Sequence, residues 1–375
     1  MRTSLRTHRI PALVGLIAIV VCLPSSHGLS FNSSESSEEA KIAKLQTDAQ
    51  HGAIRAEVEL AADYLTGTGV PRDAGLAACW YERAAQSGDA EAQNQIGYFY
   101  QVGFGVPADL GRARNWYQLA ATSGSTGGRL NLGILYMLGL GVSKDVATAA
   151  QLFEEDVQKG NGTAAAYLGQ IYYFGLMGAR DMASAEKWFQ RGVKLHDPIA
   201  AYDLGLLLSV EQDHPHDFRK AADLLRTSAH AGYVPSIHSL GLLLINHPEL
   251  EQSPHEGVTS VTTAADAGEW RSSMLLGILA RDGRNGPVDR KGALLYFQIA
   301  VLQGGDQAEY LLRHEMEKLR TGLEAEELAS IRSEASAWYE QHPVAQKFLV
   351  KDPNGAKYFP VTSNAELIQE ALAAH

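Results

Sequence analysis

The sequence has little cysteine, little basic charge and no long hydrophobic run. Each of these shortages excludes some classes of protein. Only two cysteines, Cys22 and Cys79, occur among 375 residues. If Cys22 is removed with the N-terminal segment, Cys79 remains as a single thiol and no internal disulfide staples the mature chain. We therefore expect Cys79 to be a small core residue, and an oxidising compartment to be tolerated rather than used.

Basic residues are outnumbered by acidic ones. The chain has 32 Lys and Arg against 43 Asp and Glu, a net charge of -11. Residues 1–28 contain three arginines and no acid, so their removal would make the remaining chain more acidic still. Because basic patches attract nucleic acid and anionic membrane surfaces, an acidic chain argues against both as partners.

The N-terminal segment has the parts of a secretory signal. Three arginines precede an apolar run over residues 10–23, which is shorter than the ~20 residues that span a bilayer. Ser26 and Gly28 are small residues at the positions that a signal peptidase reads before a cleavage after Gly28. We predict a signal peptide, a secreted or periplasmic protein, and no stable membrane insertion after cleavage. The alternative is an uncleaved N-terminal anchor.

The dominant feature of the sequence is a repeat with a step of 36 residues. Glycine recurs in this step at Gly97, Gly133, Gly169, Gly205, Gly241 and Gly277. A second glycine series, an aspartate series and an alanine series keep the same register; the aspartates are Asp73, Asp109, Asp145, Asp181, Asp217 and Asp289. Four series in one register indicate a tandem repeat.

Each repeat is predicted to be a pair of helices. Between Asp89 and Gly124, residues four apart share an apolar face on the first helix, and a Gly-x-Gly loop ends it. Asp109 is expected to cap the second helix, which carries a buried stripe that includes Trp116 and Tyr117. A glycine inside a helix costs roughly 1 kcal/mol relative to alanine, so we expect the backbone of a neighbouring helix to approach each repeat glycine.

The register also predicts the domain organisation. Residues 1–28 form the signal peptide, 29–40 a disordered polar linker, 41–341 the solenoid with seven full repeats between two caps, and 342–375 a C-terminal tail. In the C-terminal cap, Arg313 occupies the glycine slot, and Thr321 with Glu324 is expected to form a capping box. The sixth repeat is the weakest, because Ser260 and Val261 replace the bulky pair.

The pattern in 56–88 and 92–124 resembles the Sel-one-like repeat family, a relative of the tetratricopeptide repeat. Its elements are A-x-x-LG-x-x-Y, then G-x-GV, then D-x-x-x-A-x-x-WY-x-x-AA-x-x-G, and the resemblance covers roughly residues 41–340. It implies an all-α fold, a right-handed α-solenoid of antiparallel helix pairs, which mediates protein–protein contacts. One secreted branch of the family resembles cysteine-rich proteins associated with β-lactamases, but this chain lacks those cysteines.

A search for catalytic motifs finds one candidate. Ser184 and Lys187 match S-x-x-K, the nucleophile motif of penicillin-recognising enzymes, but the partner motifs S-D-N and K-T-G are missing from the sequence. We predict no catalytic residue and no enzyme activity. The alternative is a β-lactamase or penicillin-binding type of hydrolase that acts on the cell envelope.

A metal site has a similarly weak signal. His214 and His216 lie between two aspartates, yet their spacing is loose and the segment is a loop around Pro215. A polar loop is the preferred interpretation, so we predict neither a metal nor a cofactor.

The predicted binding surface follows from the register. A helix-pair solenoid lines its concave side with the first helix of each pair. By analogy with related repeats, we expect the slots three before, one after and four after each repeat glycine to face this groove. The candidate binding residues are Asn94, Tyr98, Gln101, Met137, Tyr173, Tyr202, His238 and Arg281. The same slots hold Leu130, Ile134, Ala166, Gln170, Leu206, Ser209, Leu242, Ile245, Met274 and Ile278.

These residues make a mixed aromatic and aliphatic set. We predict that the groove binds a peptide or amphipathic helix of another protein, which makes the chain an exported, non-catalytic scaffold or adaptor. The alternative is that some of the side chains pack between repeats instead. The sequence leaves the oligomeric state open.

Overall fold

Short alternating helices account for nearly all of the described chain. The computed structural model describes residues 36–210, 215–284, 286–342, 350–351 and 357–358. The helices are α1 (Ser36–Gln50), α2 (Ile54–Thr66), α3 (Ala74–Gln86), α4 (Ala90–Val102), α5 (Leu110–Thr122), α6 (Thr126–Leu138), α7 (Val146–Gln158), α8 (Gly162–Tyr173), α9 (Met182–Lys194), α10 (Pro198–Val210), α11 (Phe218–His230), α12 (Val234–Asn246), α13 (Glu256–Asp266), α14 (Trp270–Asp282), α15 (Arg290–Arg320) and α16 (Ala325–Gln341). A short 3-10 helix, Pro248–Leu250, precedes α13. Strands β1 (Val350–Lys351) and β2 (Lys357–Tyr358) pair antiparallel.

The fold class is the predicted one, an all-α solenoid of helix pairs in a 36-residue step. The chain divides into two compact units whose boundary falls within α6. Unit one contains residues up to 132 together with 140–142, and unit two contains 133–139 and the residues from 143 onward. Inside each unit, the first helices α2, α4, α8, α10, α12 and α14 each pack on the second helix that follows. None of the described helices is long and apolar enough to cross a membrane.

Aspartate begins most of the second helices, as predicted. Asp109 Oδ1 accepts the backbone N–H of Arg112 at 3.0 Å, and the other aspartates of the series do the same for their own helices. Such a cap contributes about 1 kcal/mol per helix. At the other end of α4, Gly103 has a φ of 73° and closes the helix in the left-handed conformation. The predicted caps and the Gly-x-Gly loop are therefore confirmed.

The repeat glycine of each first helix lies beneath a bulky side chain of the paired second helix. A Cβ on Gly97 would lie 2.8 Å from the Tyr117 ring, and one on Gly133 would lie 2.5 Å from the Phe153 ring. The same arrangement pairs Gly169 with Phe189, Gly205 with Leu225, Gly241 with Val261 and Gly277 with Phe297. The predicted close approach exists, but the nearest atoms are in most repeats those of a side chain rather than of a backbone. The missing Cβ leaves room for that side chain to reach the helix axis.

Two boundaries differ from the prediction. Helix α1 begins at Ser36 and not at Lys41. Residues 36–40 contain no glycine or proline that would stop the helix. They therefore belong to α1 rather than to the predicted polar linker. The capping box of α16 is formed by Glu324 and Glu327, not by Thr321 and Glu324. Gly322 has a φ of 85° and turns the chain, which delays the helix start. The predicted signal peptide and most of the tail lie outside the described residues.

Cys79 is not a free thiol. It lies half-buried on α3 and is disulfide-bonded. The chain's other cysteine, Cys22, lies outside the described residues. The prediction of a single thiol concerns a chain that has lost Cys22, and it stays a prediction.

The glycine packing makes a direct prediction about stability. Gly133→Ala should lower the free energy of unfolding by about 1–3 kcal/mol, because the new methyl group overpacks the core against Phe153. This loss should outweigh the helix propensity of alanine. Gly111→Ala is the matched control, since a Cβ there meets only the Asp109 side chain, at 3.3 Å. Urea unfolding followed by circular dichroism measures both, and equal midpoints for the two variants would contradict the packing account.

Candidate binding surface

The predicted groove residues differ in exposure. Asn94, Met137 and Tyr202 are buried, whereas the other five are half-buried: Tyr98, Gln101, Tyr173, His238 and Arg281. The three buried side chains thus follow the alternative that the sequence left open, packing within the array. Whether the half-buried ones contact a partner stays a prediction.

In unit one, the predicted amides are used by the fold itself. Asn131 Nδ2, on α6, donates to Asn94 Oδ1, on α4, at 2.9 Å. The Tyr117 hydroxyl donates to Gln101 Oε1 at 2.8 Å, which joins the two helices of one pair. The first of these bonds links one first helix to the next.

In unit two, further predicted residues link successive first helices. His238 Nδ1 lies 2.7 Å from Ser272 Oγ and so joins α12 to α14. Arg281 Nη1 donates to Glu315 Oε2, on α15, at 2.9 Å. Tyr173 acts locally instead, since the Arg180 guanidinium lies 4.4 Å from its ring centroid. The first-helix face of unit two is therefore a ladder of polar contacts between repeats.

The most unusual member of this ladder is Asp203, on α10. It is the only charged residue of that helix. Gln170 Nε2, on α8, donates to Asp203 Oδ2 at 2.9 Å. Burial raises the pKa of Asp203 to about 7, against the lowering effect of the Gln170 hydrogen bond. A carboxyl group with this pKa changes charge near neutral pH.

A second carboxyl group and a set of tyrosines surround Asp203. Asp197 accepts the Thr163 hydroxyl at 2.6 Å and the Ala200 N–H at 2.8 Å, yet burial still raises its pKa. The negative charges of Asp203 and Asp197 help to raise the pKa of the buried Tyr233. We call the following set the Asp203 cluster: Tyr167, Gln170, Asp197, Asp203 and Tyr233.

Two polar atoms of the Asp203 cluster are buried without a hydrogen-bond partner among the described residues. They are the Tyr167 hydroxyl and Gln170 Oε1. An unsatisfied buried polar group costs about 1–3 kcal/mol, so each one requires an explanation. The Asp203 carboxylate beside them is half-buried and has no cationic partner among the described residues. An ammonium group could donate hydrogen bonds to it.

The sequence analysis missed the slot that holds Asp203, two residues before the repeat glycine. In other repeats the same slot holds Asn131 and Ser239, and Ser239 forms a hydrogen bond with the Tyr202 hydroxyl. A signal was present, because these polar residues recur in one register on otherwise apolar helices. The residues of this slot and those of the predicted slots together form the ladder of polar contacts.

Apolar side chains are exposed on the first helices of unit two as well. Leu242, in a predicted slot, has 41% of its surface exposed, and Tyr310 has 77% exposed. Tyr310 was missed, although it lies three residues before Arg313, the residue already placed in the glycine slot. The surface therefore combines polar contacts with exposed hydrophobic side chains.

The candidate catalytic motif has a structural role. The Ser184 hydroxyl donates to Asp181 Oδ2 at 2.6 Å, and its backbone N–H donates to Asp181 Oδ1 at 3.0 Å. Ser184 thus strengthens the cap of α9, while Lys187 is exposed.

The candidate metal site is only partly described. No cluster of three metal-ligating side chains occurs in the portion of the chain that the structure covers. His214 lies outside that portion. The His216 ring lies 5.1 Å from that of Phe218, measured between centroids.

Comparison with known proteins identifies the repeat. The Sel1 repeat family matches six segments that together cover more than half of the chain: 54–89, 90–125, 128–155, 162–197, 198–233 and 271–305. The chain belongs to the Sel1 repeat family. The pair α12–α13 falls between the last two matched segments and keeps the 36-residue step. Its weaker pattern agrees with the predicted weakness of the sixth repeat.

Solved structures share the fold. A Sel1 repeat protein from Oxalobacter formigenes is 23% identical, with a TM-score of 0.51, over 60% of this chain and 99% of that one. A protective antigen of uropathogenic Escherichia coli with an SLR fold is also 23% identical, with a TM-score of 0.42, over 83% of this chain and 73% of that one. No curated protein matches the chain.

The raised pKa of Asp203 makes stability depend on pH. The folded state holds this proton up to about pH 7, whereas an unfolded aspartate loses it near a pH of about 3.9. Between these values the folded state binds more protons, so the free energy of unfolding falls as pH rises. Asp203→Asn resembles the protonated form and should flatten this dependence, which urea unfolding at several pH values measures.

Asp181→Asn is a control of opposite sign. In the wild type, the hydrogen bonds that Asp181 accepts from Ser184 lower the pKa of Asp181. The stability that the Asp181 carboxylate contributes is therefore lost as the pH falls. Identical pH profiles for the wild type and Asp203→Asn would show that Asp203 does not titrate as described.

Proposed function

We propose that this protein is a non-catalytic scaffold whose first-helix face in unit two binds another polypeptide, with a basic side chain of that partner at Asp203. Membership of the Sel1 repeat family supports the general part, since such repeats are commonly protein-interaction scaffolds. The observation that carries the specific part is the half-buried Asp203 carboxylate, which has no cationic partner among the described residues.

A lysine ammonium suits this cluster because it brings three donors and a positive charge. Its hydrogen bonds would engage the Asp203 carboxylate, which is half-buried. The positive charge would return the pKa of Asp203 toward the ordinary range, so the carboxylate would be ionised in the complex. Binding should therefore strengthen as the pH rises through about 7.

Exposed hydrophobic side chains supply the rest of the proposed contact. Leu242 is exposed and Leu206 is half-buried, each one residue after a repeat glycine. An amphipathic segment binds a helical face through apolar anchors of this kind. Charge then sets the position and specificity of the segment more than its total affinity.

A peptide display library, selected against the full-length chain, tests this proposal. We expect the selected peptides to share one Lys or Arg. Asp203→Asn should weaken their binding at least tenfold, about 1.4 kcal/mol, because a charged hydrogen bond is lost. Leu242→Ser should also weaken binding. Affinities can be measured by isothermal titration calorimetry, with circular dichroism to confirm folding.

Glu154→Gln is the matched control, because it removes one exposed acid from a second helix. It should bind the selected peptides as the wild type does. Peptides with no basic residue in common, bound equally by wild type, Asp203→Asn and Leu242→Ser, would contradict the proposed site.

We also propose export, on the basis of the N-terminal sequence. The proposed signal peptide lies outside the described residues, and its test is independent of the binding site. Mass spectrometry of the protein from its native host should find a mature chain that begins at Leu29. An intact Met1 on membrane-bound protein would instead support the uncleaved anchor.

A further inference from the structure

One slot of the second helices is filled by a large side chain in every repeat except the sixth. This slot lies three residues after the repeat alanine, or after Gly257 in the sixth repeat, where Ser260 occupies it. The residues in the other repeats are Trp80, Trp116, Leu152, Trp188, Leu224 and Tyr296. The sixth repeat therefore lacks the bulk that its neighbours place at this point.

The helix that carries Ser260 is also built differently at its start. Helix α13 has 11 residues and begins after His255, whose φ is 61°, instead of after a capping aspartate. Ser253 replaces that aspartate. The His255 side chain makes no cap for α13, and Glu251 Oε1 instead accepts the Gly257 N–H at 3.0 Å. The shorter helix and the small residue together leave space between α11, α12 and α13.

That space is a cavity of about 290 Å³. Ile237 and Leu240 give it an apolar side, and the hydroxyl groups of Ser260 and Thr263 line another part. Small-molecule sites usually range over about 300–1,000 Å³. The cavity therefore has room for one ring system rather than for a large ligand.

An ion pair between Arg226 and Glu256 forms part of the remaining wall, which also includes Ala229, His230, Ser253 and Thr259. Arg226 Nε and Nη2 donate to the two carboxylate oxygens of Glu256, at 2.7 and 3.1 Å. Arg226 is only 8% exposed, and its Nη2 also donates to the Leu250 carbonyl at 2.6 Å. Glu256 accepts the Gln252 N–H at 2.7 Å as well. Arg226 Nη1 also donates to Asp223 Oδ1 at 3.2 Å. Because two carboxylates already compensate the charge of Arg226, the wall offers no unpaired positive charge to an anion and favours a neutral ligand.

The first repeat shows which contacts a large side chain makes in the slot that Ser260 occupies in the sixth repeat. Trp80, in the first repeat, is 3% exposed. The Arg83 guanidinium lies 4.8 Å from its ring centroid, and Arg83 pairs with Glu57 at 3.2 Å. In the first repeat, therefore, an aromatic ring lies beside an arginine that is paired with a glutamate. Guanidinium groups are generally attracted to aromatic faces.

We propose that the cavity at Ser260 binds one neutral aromatic side chain of a partner protein, an indole or a phenol, which completes the sixth repeat from outside. The apolar side takes the ring, and the hydroxyl groups of Ser260 and Thr263 accept its N–H or O–H. Tryptophan and tyrosine are the residues that most often anchor interfaces in such pockets. This site lies between α11, α12 and α13 and does not include the Asp203 cluster.

Titration of the isotope-labelled full-length chain with N-acetyl-L-tryptophanamide, followed by NMR, tests this proposal. Saturable shifts should appear at amides of α11, α12 and α13, and N-acetyl-L-leucinamide should bind at least fivefold more weakly. Ser260→Trp should reduce the affinity at least tenfold and raise the urea midpoint, because the chain's own indole fills the cavity. Ser260→Ala keeps the space but loses one hydroxyl acceptor, so it should weaken binding less than Ser260→Trp does.

Leu152→Trp is the matched control, since it places a tryptophan in the same slot of the third repeat and should leave binding unchanged. Thr263→Leu narrows the cavity with a smaller change and serves if Ser260→Trp does not fold. Asp203→Asn should also bind the probe normally, which separates this site from the peptide surface. Absence of saturable shifts, equal binding of the two amides, or full affinity in folded Ser260→Trp and Thr263→Leu would overturn the proposal.

Discussion

The structure depends on one packing constraint, the burial of a bulky second-helix side chain against a glycine of the paired first helix. Gly97 with Tyr117 and Gly133 with Phe153 show the arrangement. Because glycine has no Cβ, the ring reaches the surface of the first helix, and any larger residue there would push the two helices apart. The contact fixes the rotation of each first helix about its axis, and hence the direction in which every other slot points.

That rotation explains where the polar contacts lie. With the glycine turned toward the second helix, slots on either side of it turn toward the next first helix, where Asn94 meets Asn131 and Gln170 meets Asp203. Partly satisfied polar groups at such positions lower stability. Such groups occur in the Asp203 cluster, where we propose binding, and departures from good packing are expected at functional sites.

The periodic features could be predicted from the sequence, whereas the features that depend on how closely the helices pack could not. The 36-residue step, the aspartate caps and the weak sixth repeat follow from local spacing, which is written in each repeat separately. The bulky side chain over each repeat glycine, the burial of Met137 and the raised pKa of Asp203 depend on how closely one helix packs against its neighbours. Periodicity predicts which face of its helix a residue lies on, but not how close the neighbouring helix is. The pairing of Glu324 with Glu327 was missed for a local reason, since Gly322 shifted the helix start.

A double-mutant cycle between Gly169 and Phe189 tests the central constraint most directly. A Cβ on Gly169 would collide with the Phe189 ring, so the cost of Gly169→Ala should depend on that ring. The account predicts that Gly169→Ala costs at least about 1 kcal/mol less in a Phe189→Leu background than in the wild type, a coupling typical of residues in contact. If the two substitutions are additive in urea unfolding, the ring does not set the spacing of the helices, and the account is contradicted.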